Sequence, residues 1–288
     1  MRISSFTNKL VTVLAVLTIT GCAGFDGGEN SAFAKSSKSQ ALAALERPNL
    51  TPKDLFANRL PKRQIRTLAV TGDSLSISLA SELEKSLASK PGLGFTRLGK
   101  VSSGLARPDF FDWDRNMENL ARRYRPDAVV VMLGTNDNKH LRQADGSQIT
   151  FGTPEWDRAY SAKVKHIVEI IRSHNATATV FWLGAPVMAD EDLNRDLRHI
   201  NALLRKTMAS VSDCHYVDTW PVFATAGGGF AFSKPEVEGG AALRARDGIH
   251  LTPAGAQALA GRCLSAMETR ITWDGPLQGS APLADRGV

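Results

Sequence analysis

The sequence predicts a parallel β-sheet with helices on both faces. Three observations lead there. Short continuous apolar runs recur at 67–70, 95–98, 128–133, 179–183 and 215–217, and strands that are apolar on both sides belong to sheets covered on both faces. Amphipathic stretches of helical period lie between those runs, which is the alternation of β-strand and helix units. The Gly-containing strings with reactive side chains fall just after such runs, where a sheet of this kind delivers its functional loops.

Taken in order, the run at 67–70 leads into Gly72-Asp73-Ser74-Leu75, and Leu79, Leu83 and Leu87 then stand four apart over 77–87. After the run at 95–98 comes Ser102-Ser103-Gly104-Leu105, then a segment charged on one side over 118–124. The run at 128–133 precedes Gly134-Thr135-Asn136-Asp137. A helix over 157–172 sets Val164, Ile167, Val168 and Ile171 on one face, and one over 193–208 does so with Leu197, Ile200, Leu203 and Leu204. The last helix opens with Thr252 as N-cap and Pro253 in the first helical position, the arrangement favoured by helix geometry. Two connections, 138–153 and 223–246, are long and Gly-containing, a mark of structured binding loops or lids.

The start of the chain is set apart from the fold. Arg2 and Lys9 precede a short apolar run, and Ile19-Thr20-Gly21-Cys22 follows. This is an export signal pattern and resembles a bacterial lipobox, with Cys22 as the lipidated residue. The run is shorter than the about 20 residues that span a bilayer. The expected organisation is a signal peptide at 1–21, a solvated tether at 22–63, one α/β domain at 64–274 and a loose tail at 275–288. Ala23 after the cysteine is the pattern that goes with outer-membrane retention in Gram-negative lipoproteins. The expected location is therefore the periplasmic face of a membrane, held by the lipid on Cys22.

The formal charge is +6, from 35 basic and 29 acidic residues. Loss of Arg2 and Lys9 with the signal leaves 33 against 29, or +4. No dense basic block with interleaved aromatic residues occurs, which excludes a nucleic-acid partner. Cys214 and Cys263 remain once Cys22 is lipidated. In an oxidising compartment they are a candidate disulfide, worth roughly 4 kcal/mol in the chain-entropy picture; the alternative is two buried free thiols. Neither Cys-x-x-Cys nor His-Glu-x-x-His occurs, so no metal site is expected.

The strings supply the parts of an acyl-transfer site. Ser74 stands where a strand ends and a helix begins, near helix N–H groups that favour a developing oxyanion. A serine needs a base, and of six histidines only His250 has a carboxylate, Asp247, three residues earlier in a turn-forming segment. Asp247 can fix the imidazole tautomer so that the other ring nitrogen takes the serine proton. Gly104 offers an unobstructed backbone N–H, Asn136 an amide, and Ser74 its own N–H as oxyanion donors. Asp73 and Asp137 suit loop bracing better than chemistry. Arg107 and Trp113, beside Gly104, are candidate substrate contacts.

These residues carry a resemblance to the SGNH, or GDSL-type, hydrolase superfamily, whose blocks contribute Ser, Gly, Asn and His. Ser74, Gly104, Asn136 and His250 with Asp247 match those blocks across about 66–270. Ser102 to Trp113 and Gly184-Ala185-Pro186-Val187-Met188 resemble an exported bacterial branch of unknown function. The resemblance implies a three-layer α/β/α sandwich around a five-stranded parallel sheet, flavodoxin-like in arrangement, and no cofactor. It also implies a serine esterase acting on O-acyl, chiefly O-acetyl, groups of peptidoglycan or another envelope glycan. Two alternatives remain: an O-acyltransferase using the same triad, and a non-catalytic glycan-binding lipoprotein. Gly-x-Ser-x-Gly is absent, so the nucleophile elbow of the α/β-hydrolases is not expected.

Overall fold

The computed structural model describes residues 62–235 and 240–273. Cys22, the 1–21 signal and the 275–288 tail lie outside the described residues.

Among the described residues the chain forms β1 (Arg63–Gln64), β2 (Thr67–Gly72), α1 (Ser74–Leu87), β3 (Gly94–Gly99), α2 (Trp113–Tyr124), β4 (Ala128–Met132), β5 (Leu141–Arg142), β6 (Gln148–Ile149), α3 (Pro154–His174), β7 (Thr179–Leu183), α4 (Glu191–Ala209), β8 (Cys214–Val217), α5 (Trp220–Phe223), α6 (Pro253–Met267) and β9 (Ile271–Thr272). Five strands make one sheet in the order β3-β2-β4-β7-β8, every neighbouring pair parallel. The expected α/β class and five-stranded parallel sheet are thus present.

The apolar runs account for the sheet. Every residue of β4 and β7 is buried, as a strand with helices on both sides must be. In the helices the apolar spacing covers the inner face: α1 buries Leu75, Leu79, Leu83 and Leu87, and α3 buries Val164, Ile167, Val168 and Ile171. α1 packs on α6, while α2 packs on α3 and α3 on α4. Those are the two layers that right-handed crossovers produce in this strand order.

Each long helix starts at a side-chain cap. Asp73, Asp112, Thr153, Asp190 and Thr252 each accept a backbone N–H from the first turn, satisfying donors a helix end otherwise leaves bare. Four caps lie earlier than the sequence pattern places the helix starts. α1 begins at Ser74, α2 at Trp113, α3 at Pro154 and α4 at Glu191, because each first turn mixes polar residues with too few apolar ones, such as Leu75, Trp113 and Trp156, to extend the period.

The 138–153 connection holds the β5–β6 hairpin, and the Arg142 N–H donates to Ala106 O at 3.1 Å. It therefore braces the loop after β3. In the 223–246 connection the described parts fold back through bridges at Ala224–Phe230, Ser233–Ala242 and Arg244–Leu251.

Of the two readings of Cys214 and Cys263, the structure shows the second. Both are free, buried thiols. Cys214 opens β8, where its Sγ accepts from Arg172 Nη2 at 3.5 Å. Cys263 lies on α6 with its Sγ 3.6 Å from Met267 Sδ. Each sulfur sits in its own packed environment, and burial pushes the Cys263 thiol up to about 12.

Candidate active site

The strand order places the site. From β2 the chain moves outward to β3, then returns across the sheet to β4 on the other side of β2. Loops leaving β2 and β4 at their carboxyl ends diverge there and open a crevice, the usual ligand position in such sheets. Ser74 follows β2 and Asn136 follows β4, with Gly72 paired to Met132 in register.

Ser74 is the first residue of α1. Its neighbour Asp73 caps that helix through Leu75 N–H at 3.0 Å, and the Ser76 hydroxyl donates to Asp73 O at 2.7 Å. The turn is held from both sides, which fixes where Ser74 Oγ points. His250 Nε2 lies 3.1 Å from that Oγ, and His250 Nδ1 lies 2.7 Å from Asp247 Oδ2. The other carboxylate oxygen, Oδ1, accepts the Ile249 and His250 backbone N–H groups at 2.9 Å each. Asp247 therefore shapes the turn and orients the ring with one carboxylate. The His250 ring and these N–H donors hold the carboxyl down at about 2, so it is an ionised acceptor at neutral pH.

That turn requires glycine at its second position. Gly248 has φ +69°, and a Cβ there would lie 2.3 Å from Ala189 Cβ. Gly104 is required for closeness instead. A Cβ would stand 2.2 Å from Asp137 Oδ1, the oxygen that accepts Ala106 N–H at 2.8 Å. The second oxygen of Asp137 accepts Tyr160 O–H at 2.7 Å. Asp137 thus ties the Gly104 loop to the end of β4, a bracing task consistent with its type and burial. Asn136 Nδ2 donates to Ser103 O at 2.9 Å, which sets its amide against the same loop. The Ser74 and Gly104 backbone N–H groups donate to no protein group among the described residues.

Two buried carboxyls lie beneath this surface. Burial pushes Asp73 up to about 7 and raises Asp137, because desolvation disfavours the charged form. Asp73 Oδ2 has no hydrogen-bond partner, which a neutral carboxyl tolerates better than a charged one.

Trp113 needs correction as a substrate contact. The residue is 2% exposed, its ring N–H donates to Ser103 Oγ at 3.1 Å, and its ring lies 4.9 Å from that of Phe111 in a T-shaped pair. It supports the Gly104 loop from within. Arg107 is at the surface, with Nε and Nη2 each 2.8 Å from an Asp109 carboxylate oxygen. Sequence reading did not single out Tyr160 or Arg244, whose roles depend on partners distant in sequence or on the shape of a loop. No group of three or more His, Cys, Asp or Glu is placed to hold a metal, and no helix is long and apolar enough to cross a membrane, among the described residues.

In fold the chain is similar to the periplasmic domain of a lipopolysaccharide acetyltransferase from Salmonella ser. Paratyphi A, at 10% identity over 84% of this chain and 98% of that one, TM-score 0.51. It is also similar to a carbohydrate esterase family 2 enzyme from Corynascus thermopiles (16% identity, 72% and 67% covered, TM-score 0.48). A third similar structure is a variant of an acetyl-xylooligosaccharide esterase from Geobacillus Stearmophilus (17%, 72% and 96%, TM-score 0.47). No curated protein matches the chain. With residues 67–266 matching the family described as a protein of unknown function (DUF459), the chain belongs to that family.

Proposed function

We propose that the protein is a serine esterase that removes short O-acyl groups, chiefly acetyl, from a cell-envelope glycan. The observation that carries this reading is the contact series Asp247–His250–Ser74, at 2.7 and 3.1 Å. Ser74 Oγ attacks the ester carbonyl as its proton passes to His250 Nε2. Asp247 holds Nδ1–H and stabilises the imidazolium. The Ser74 and Gly104 N–H groups and the Asn136 amide are the donors for the tetrahedral oxyanion. His250 then protonates the departing sugar oxygen, and the acyl group stays on Ser74. In the second half a water gives its proton to Nε2, attacks the acyl carbon, and Ser74 leaves with that proton.

Hydrolysis leads over acyl transfer because the base is open to solvent: the His250 side chain is 51% exposed. We place the protein outside the cytoplasm, anchored by lipid on Cys22, on the strength of the export pattern at 1–22. Labelled fatty acid should enter the wild-type chain in cells and fail to enter Cys22→Ala.

Purified protein should release p-nitrophenol from p-nitrophenyl acetate, and Ser74→Ala should abolish that release. A fluorophosphonate should modify Ser74. Release unchanged in Ser74→Ala would overturn the mechanism. Transfer of acetyl to an added glycan acceptor in preference to water would replace hydrolysis by the transferase reading.

A further inference from the structure

The side chains of His250 and Asp247 are 51% and 47% exposed, so packing does not hold them in place; the loop backbone must. That loop is tied by Ala245 N–H to His250 O at 2.8 Å and by Ala189 N–H to Gly248 O at 3.2 Å. Beneath it lies Arg244, fully buried. Its Nη1 donates to Ile249 O at 2.6 Å, the carbonyl directly before His250. Its Nη2 donates to Val187 O and approaches Met188 Sδ at 3.3 Å, both in the loop after β7. The guanidinium lies over the Phe223 ring at 4.6 Å and the Phe230 ring at 5.9 Å. One planar fork therefore joins the dyad loop, the loop after β7 and the start of the 223–246 connection.

No carboxylate forms an ion pair with Arg244 among the described residues. Burying a cation without such a pair is expensive, and an apolar side chain of similar volume is often as stable or more so. Packing alone thus gives no reason for arginine here. The rigid fork does, since it can bridge two backbone carbonyls at fixed spacing where lysine offers a single flexible point.

We propose that Arg244 is the positioning residue of the Asp247–His250 dyad, holding Nε2 at the distance from Ser74 Oγ that proton transfer requires. Its effect on rate rests on the serine-esterase reading; its effect on geometry does not. The test compares the full chain with Arg244→Met and Arg244→Lys by three readouts. These are kcat and KM for p-nitrophenyl acetate per titrated active site, thermal melting, and the low-field proton NMR signal of His250 Nδ1–H.

Arg244→Met should fold and melt as a single transition, with KM within about two-fold of wild type. Its kcat should fall about 10- to 100-fold, the cost of a misplacement near 1 Å, and its low-field signal should broaden or vanish. Arg244→Lys should recover part of the kcat. Wild-type kcat and signal in Arg244→Met would overturn the proposal, as would a loss that disappears once activity is expressed per folded site. A wild-type chain that cleaves no ester but loses the signal in Arg244→Met would sink the esterase reading and leave the bracing role standing.

Discussion

Asn136 and Asp73 carry opposite demands at the residue scale, one toward a developing charge and one away from a resident charge. The Asn136 amide is pinned to Ser103 O by one hydrogen, so its orientation is set before substrate arrives. Preorganised donors of this kind are worth about 10²–10³ in kcat. Asn136→Ala should therefore lower kcat by that factor with little change in KM, measured by steady-state ester hydrolysis. A change confined to KM would assign Asn136 to ground-state binding. Asp73 is the reverse case: its carboxyl stays protonated up to about 7 in the fold, against 3.8 ordinarily. As pH rises from about 4 to about 7 the unfolded chain gives up this proton first, so the fold loses stability across that interval and levels off above it. Asp73→Asn keeps a capping side chain and has nothing to ionise. Its advantage in melting temperature over wild type should grow between pH 4 and 7 and be constant beyond, in a series of thermal melts. A difference independent of pH would mean that Asp73 ionises in the fold as it does in the unfolded chain.

At the element scale, what could be read in advance was whatever depends on near neighbours. The five strands and the helices over 77–87, 157–172 and 193–208 follow from period and apolarity, and the Asp247–His250 spacing is itself a local geometry. The β5–β6 hairpin escaped because two strands of two residues leave no alternation to detect, and Arg142 acts through a carbonyl, Ala106 O. Trp113 was misplaced for a related reason. A tryptophan beside a candidate donor reads equally as a platform or a support, and only its partner, Ser103 Oγ, decides. Arg244 is close to His250 in sequence, yet its bond to Val187 O spans 57 positions. The turn between Asp247 and His250 was legible as a turn but not as a tight fit against Ala189. Gly248→Ala should cost about 1–3 kcal/mol from its φ of +69° alone. The collision with Ala189 should add to this and shift the dyad, so kcat should fall by more than the folded fraction does. Urea unfolding alongside kcat per titrated site checks this; full activity per site would show that the loop relaxes without moving His250.

Over the whole molecule, the sheet brings together residues that share no local signal. Ser74 and His250 are 176 positions apart, and they meet because α1, which starts at Ser74, packs on α6, which begins just after His250. The same long-range arrangement separates the cysteines. Cys214 and Cys263 are the two that remain beside Cys22, so composition and compartment alone favour pairing them. Each sulfur is instead engaged locally, one with Arg172 and one with Met267, and a bond between them would require β8 and α6 to give up those positions. Stability must then come from the packed core, with no loop-closure contribution of the size a long-range disulfide supplies. The Cys22→Ala chain, purified without reductant and unfolded in guanidinium, should react with two equivalents of a thiol reagent. Its melting temperature should be the same with and without dithiothreitol. Burial raises both thiols, which slows oxidation because the thiolate is the reactive form, so export into an oxidising space does not by itself force the bond. Zero reactive thiols together with a reductant-sensitive melt would mean that the mature fold brings β8 and α6 together at these two positions.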